Sequence, residues 1–277
     1  MPLATALDLV STSTASNVAD RRTWESAEVV RSDIEAAATQ DESLMIPGHR
    51  IERYARPPAD TEFPLEYAYH LLGDVHGRRV LDIGCGSGMN SVLAATYGAS
   101  VTGIDISPSL TRLAIRCASL NGVANRVRVM VTSAHDLPFA SNSFDVVMGI
   151  AILHHLDLAA ASREIHRVLK PGGRAIFQEP VRNSALVRRM RAMLPYRAAD
   201  VSPFERPLTD GELNEFGRRF VVARSRVFSL PHVNLAAVLH VPNSGLHAMY
   251  RADRALLRRF PSLEPFATNR VVELVKH

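Results

Sequence analysis

Val80-Leu-Asp-Ile-Gly-Cys-Gly-Ser-Gly88 decides how this 277-residue chain is read. Arg79 to Ile83 is a short apolar run that starts at a charged residue and stops at a glycine, the pattern of a buried strand. Gly84, Gly86 and Gly88 follow at alternate positions, and a helix-forming run continues through Ala95. Glycine there lets the chain turn tightly and lets its backbone approach a ligand that a side chain would obstruct. In an open α/β sheet, ligands bind beyond the carboxyl ends of the strands, where the strand order reverses.

Outward from this unit the alternation repeats. Ser100 to Ile104 reads as a strand, Pro108 to Leu120 as a helix and Val127 to Val131 as a third strand. Phe144 to Gly149 supplies a fourth strand, Asp157 to Leu169 a helix, and Arg174 to Gln178 a fifth strand after the Lys170-Pro-Gly-Gly173 turn. Such a wind implies parallel strands covered on both faces, an α/β doubly wound sheet. Upstream, residues 1–20 read as a disordered tail and 21–74 as a helical segment. Within that segment Val29, Val30 and Ile34 mark one amphipathic helix, and Leu65, Tyr69 and Leu72 mark another. The catalytic domain then spans 75–277, with 180–208 and 229–262 as cap segments over the active face. An Arg-rich helix is expected near Ser184 to Leu194, an N-capped helix from Thr209, a strand over Phe220 to Phe228, a helix over Leu246 to Phe260 and a closing strand over Asn269 to Val275.

Composition narrows the class. A net charge of +4 comes from 32 Lys and Arg against 28 Asp and Glu, spread along the chain, so nucleic acid is not the expected partner. Cys85 and Cys117 are too few for a disulfide framework or a thiolate metal site, which fits a reducing cytoplasm; no metal is expected. The amino-terminal residues lack the basic and apolar regions of a secretory signal, and no run is long enough for membrane insertion.

Asp105 ends the second strand 17 residues after Gly88, where a carboxylate accepts hydrogen bonds from both hydroxyls of a ribose. Nucleotide-linked dehydrogenases and methyltransferases share that arrangement. The dinucleotide pattern G-x-G-x-x-G fails in both frames, meeting Met89 when counted from Gly84 and Ser91 when counted from Gly86. What stands instead is an ordered set: Val80 to Gly88, Gly103-Ile-Asp-Ile-Ser107, Asp136-Leu-Pro-Phe139, Phe144-Asp-Val-Val147 and Leu169-Lys-Pro-Gly-Gly173. Over roughly residues 75 to 180 this set resembles the class I S-adenosylmethionine-dependent methyltransferase family. Leu153-His-His-Leu156 resembles the bacterial subgroup that mostly methylates small molecules, quinones or lipid-like acceptors.

The resemblance implies a Rossmann-like sheet of seven strands with the last antiparallel, and S-adenosyl-L-methionine as cofactor. It places Asp82 and the backbone of Gly84, Gly86 and Gly88 along the methionine and ribose, and Asp105 and Ile106 at the ribose and adenine. Gly149 and Ile150, closing the fourth strand, complete the cofactor set. One position departs from the family: its acidic adenine contact aligns with Ser133, followed by Ala134 and His135, so adenine recognition falls to Ser133 or to backbone near Ala134, with His135 as a neighbour or a loop residue. Asp82 has a second reading, as a brace for the glycine loop, and Asp105 has one as a helix cap.

His154 and Glu179 follow the fourth and fifth strands and are the catalytic candidates. A histidine there can take a proton from a hydroxyl, thiol or amine, and a carboxylate can act as a base or hold an amine. Packing against the next helix, for the histidine, and pairing with Arg182, for the glutamate, are the structural alternatives. His155, Arg182, Tyr196 and Arg206 are the acceptor-binding candidates. Methyl transfer to an O, N or S nucleophile of a small-molecule acceptor is the function expected. Its rivals are a non-catalytic binding or regulatory protein on the same fold, an RNA methyltransferase and a nucleotide-linked oxidoreductase.

Overall fold

The computed structural model describes residues 23–184, 207–233 and 242–277. Tyr196, Arg206 and the Arg-rich part of the expected cap lie outside the described residues.

The apolar runs form the strands β1 (Arg79–Ile83), β2 (Ser100–Asp105), β3 (Val127–Val131), β4 (Phe144–Ile150), β5 (Leu169–Pro180), β6 (Val221–Phe228) and β7 (Asn269–Val275) of one sheet, ordered β3-β2-β1-β4-β5-β7-β6. The first five are parallel, and β7 runs antiparallel to both β5 and β6. β1 therefore stands between β2 and β4, the point at which the order reverses and a crevice opens beyond the strand ends. Its Val80, Leu81 and Ile83 are buried, as expected of a central strand covered on both faces. The outer β6 exposes Val221 and Val222 but carries Arg224 and Arg226, charges that discourage further strand pairing.

Helices follow the strands: α5 (Met89–Thr96) after β1, α6 (Pro108–Leu120) after β2 and α7 (Leu158–Val168) after β4. Pro108 presets the first turn of α6, and Ser107 caps it by accepting from the Leu110 amide at 3.1 Å; Asp157 caps α7 at Ala160 in the same way, at 3.0 Å. Each cap stabilises its helix by about 1 kcal/mol. Ahead of the sheet lie helices α1 (residues 23–38), α2 (Asp41–Leu44), α3 (Gly48–Ala55) and α4 (Pro64–Leu72). Tyr69 and Leu72 of α4 pack, with Leu71, into the apolar layer on one face of the sheet, and Phe144, Phe177 and Phe216 build the layer on the other. α8 (Asp210–Gly217) opens on a capping box between Thr209 and Glu212, and α9 (Asn243–Arg259) lies beside β6 through Leu257 and Val227.

Two expectations change. The fifth strand begins at Leu169, and Lys170 to Gly173 bulge out of it, because Phe144 pairs with Leu169 while Val146 already pairs with Arg174. α1 forms where expected but faces the other way: Val30 and Ile34 are 63% and 67% exposed, whereas Glu28 and Ser32 are buried.

Candidate functional site

Beyond the ends of β1, β2 and β4, and beneath α1, lies a cavity of about 370 Å³. Strand ends contribute Ile83, Ile104, Asp105 and Ile150, the glycine loop contributes Gly84 and Gly86, and the polar face of α1 contributes Trp24, Glu25, Glu28, Arg31, Ser32 and Glu35.

The three loop glycines have distinct tasks. All have positive φ, at 65°, 53° and 91° for Gly84, Gly86 and Gly88, a region that penalises any side chain. A Cβ on Gly84 would stand 2.4 Å from Ile152, and one on Gly88 would stand 2.8 Å from the Ala114 backbone of α6. One on Gly86 would meet nothing within 4 Å, since this backbone faces open space. Gly84 and Gly86 line the cavity, while Gly88 packs against α6 and is not on its wall.

The two carboxylates differ as well. Asp105 lines the cavity and ties the loop down: its Oδ2 accepts from the Gly86 amide at 3.0 Å and its Oδ1 from the Ser107 amide at 2.9 Å. Burial raises its pKa and these amides moderate the rise. The α6 cap is Ser107, so Asp105 is not the capping residue. Asp82 is only 1% exposed, does not line the cavity, and accepts from Ser91 Oγ at 2.6 Å, bracing α5 on β1. Burial pushes its pKa up to about 7. Asp82 thus sits behind the cavity wall, against the first turn of α5.

At the β3 side the wall is Ile106, Thr132, Ala134 and His135. Ser133 itself faces an adjoining shallow cleft, where its hydroxyl donates to Glu25 Oε1 at 2.7 Å. His135 Nδ1 approaches the same oxygen at 3.0 Å, and its Nε2 accepts from the Asp157 amide at 2.9 Å. On the β4 side Ile150, Ala151, Ile152, His155 and Leu156 form the wall, whereas a Cβ on Gly149 would press on Ile152 and Phe177, so Gly149 serves close packing.

His154 and His155 leave the short 3₁₀ turn Leu153–His155 with their rings 4.1 Å apart. His155 lines the cavity, with Nδ1 3.5 Å from Glu28 Oε1, an ionic approach without hydrogen-bond alignment. Burial opposes ionisation of Glu28, but His155 and Arg31 outweigh it and bring its pKa down to about 2. His154 is buried, and its Nδ1 stands 2.8 Å from Glu179 Oε2. Glu179, 1% exposed, also takes the Ile152 and Leu153 amides on Oε1, at 2.9 and 2.8 Å. With these three donors Glu179 holds the turn. Arg182 is fixed through its backbone to Leu208 and does not line the cavity.

The sequence allows α1 to cover a substrate opening but names none of its residues as site residues; the signal for them is the polar series Glu25, Glu28, Ser32 and Glu35 at helical spacing.

Residues 81–177, from β1 into β5, match the family model described as a methyltransferase domain. Among relatives, the O-methyltransferase rstn1 of Aspergillus nomiae is 41% identical over 105 residues, covering 37% of this chain and 47% of that protein. The demethylmenaquinone methyltransferase of Tropheryma whipplei is 36% identical over 142 residues, covering 49% and 57%. The chain thus spans about half the length of the curated relatives it matches. In three dimensions it resembles a geranyl diphosphate C-methyltransferase from Streptomyces coelicolor A3(2), solved with Mg2+, geranyl diphosphate and S-adenosyl-L-homocysteine; the TM-score is 0.57 at 19% identity, covering 76% of this chain and 78% of the other, a likeness of fold.

The residues present fit S-adenosylmethionine. Gly86 offers backbone to open space, Asp105 offers a carboxylate at the ribose position, and Glu25, Glu28 and Glu35 against Arg31 make the wall favourable to a cation.

Proposed function

We propose that this chain catalyses methyl transfer from S-adenosylmethionine to an O, N or S nucleophile of a small-molecule acceptor, with His154 as the base. The cofactor supplies a methyl group on a sulfonium, an electrophile strong enough that alignment and removal of the acceptor's proton complete the chemistry. Gly84 and Gly86 cradle it, and Asp105 orients its ribose. The observation that carries the base assignment is the 2.8 Å contact of His154 Nδ1 with Glu179 Oε2. With Nδ1–H directed at the carboxylate, the basic nitrogen is Nε2, and Glu179 is the positioning residue that sets this tautomer. The acceptor's proton passes to Nε2 as its lone pair forms the new bond to the methyl carbon.

A small-molecule acceptor accords with what the relatives' names state of those proteins. No helix among the described residues is long and apolar enough to cross a membrane, and Cys85 and Cys117 are unpaired and buried. We place the enzyme in the cytoplasm on the strength of the free thiols.

The test is turnover against a panel of phenols, amines and thiols with labelled S-adenosylmethionine. His154→Gln is expected to lower kcat by about 10²- to 10⁴-fold and to remove the acid limb of the pH–rate profile. Glu179→Gln should lower kcat less and displace that limb, a response that a purely structural carboxylate would not give. Unchanged kcat and profile in His154→Gln would remove the base, and turnover of no acceptor by a protein that binds the cofactor would favour a non-catalytic role.

A further inference from the structure

We infer that the outward face of α9, with the turn that follows it, is a docking surface for an anionic lipid bilayer. The helix turns Asp253 and Leu257 inward, where Asp253 accepts from the Leu230 amide at 2.7 Å and Leu257 packs on Val227. Ala248, Ala252, Ala255 and Leu256, spaced i, i+4, i+7 and i+8, therefore share the opposite face, and all four are exposed. Phe260 follows directly at the end of the helix, and Phe266 closes the next turn. These two are the only phenylalanines left exposed among the described residues. Exposed apolar residues scattered singly carry no meaning, but here they gather on one helix face and its end.

The charges on this face select the partner. Arg251 and Arg258 border the strip and Arg259 lies in line with it, the Arg259 guanidinium standing 5.2 Å from the centre of the Phe260 ring. None of the three pairs with an acid among the described residues, whereas Arg254, nearer the buried face, is held by Asp60 at 2.8 Å. Glu264 is the one exposed acid between Asn243 and Phe266. A second copy of this chain, docked face to face, would set these cations against themselves. Nucleic acid would satisfy the cations and leave the alanine and leucine strip unused. An anionic bilayer matches both, because its phosphate headgroups face the arginines while the strip and the phenylalanines bury at the boundary with the acyl chains. By contrast, the exposed Val30 and Ile34 of α1 stand beside the exposed acids Asp33 and Glu35, which such a bilayer would repel. No helix among the described residues is long and apolar enough to span a membrane, so the contact is with its surface. None of the residues of this face lines the cavity beneath α1, and the inference stands apart from the cofactor and the acceptor.

Co-sedimentation of the full chain with vesicles tests this, using phosphatidylcholine alone and phosphatidylcholine mixed with phosphatidylglycerol. Wild type is expected to bind the mixed vesicles at least about tenfold more tightly than the neutral ones, and to release them as salt rises from about 0.05 to 0.5 M. Arg258→Gln with Arg259→Gln should weaken that binding about twentyfold, since each cation near an anionic surface contributes about fivefold. Leu256→Ser with Phe260→Ser leaves the charge unchanged and should weaken it about tenfold, a loss that contact through charge alone would not show. Circular dichroism checks that each variant folds, and the arginine pair, which alters only exposed side chains, decides the matter should the apolar pair disturb the helix end. Absence of binding to the mixed vesicles, or binding that neither pair of substitutions weakens, would overturn the inference. So would vesicle binding that a folded apolar pair leaves intact and single-stranded RNA competes away, which marks a surface for polyanions. Self-association abolished by Phe260→Ser, without vesicle binding by wild type, would overturn it in favour of a contact between copies.

Discussion

Asp82 and Asp105 lie near the carboxyl ends of neighbouring strands, yet one faces the interior and the other the cavity, and the difference is measurable. Folded Asp82 has a pKa of about 7 against an ordinary value of 3.8, so between these pH values the folded state binds more protons than the unfolded one. Stability from this group is full below about 3.8 and is lost as pH rises towards 7, a span on the order of 4 kcal/mol at most. Asp82→Asn keeps an acceptor for Ser91 and removes the ionisation, so melting temperatures measured from pH 4 to 8 should fall less steeply with pH in the variant than in wild type. An unchanged slope would mean that Asp82 ionises as freely as a surface carboxylate. Asp105 was legible in the sequence because it terminates an apolar run at a fixed distance from the glycines. Glu25 was not legible, because it meets Ser133 across 108 positions, and no local pattern encodes so distant a partner.

At the scale of elements, the turn after β1 assigns each glycine its own failure. Gly88→Ala would force a methyl onto the α6 backbone at 2.8 Å in a left-handed conformation, so urea unfolding should show a loss of about 2–4 kcal/mol. Gly86→Ala meets no neighbour, so its cost to stability should be about 1–2 kcal/mol, with the larger effect on cofactor affinity because the methyl enters the cavity. Equal stability losses at the two positions would show that the loop, rather than its neighbours, sets the cost. The helix α1 teaches the converse lesson. Periodicity located it correctly, but Val30 and Ile34 face outward, since a helix closing over a polar ligand turns its charged stripe inward. The rule that apolar faces point in holds for helices covering a core, as with Tyr69 and Leu72 of α4.

For the whole molecule, alternating strands and helices fixed the parallel part of the sheet, because parallel strands need crossovers and crossovers have a consistent hand. The antiparallel return of β7 between β5 and β6 came from the resemblance, as nothing in the run Asn269 to Val275 specifies its direction. The acceptor side was the least legible, since His154 acquires its orientation from Glu179, 25 positions away on another strand. What unites strand ends, glycine loop and α1 is a single cavity, and its occupant is the central claim. The most direct measurement is calorimetric titration of the full chain with S-adenosylhomocysteine, in wild type and in Asp105→Ala, with circular dichroism as the control for folding. Saturable binding by wild type, weakened at least tenfold in a folded Asp105→Ala, is the expected result, since hydrogen bonds to a charged acceptor contribute about 1.5–3 kcal/mol. No binding by wild type, or equal affinity in a folded Asp105→Ala, would contradict it.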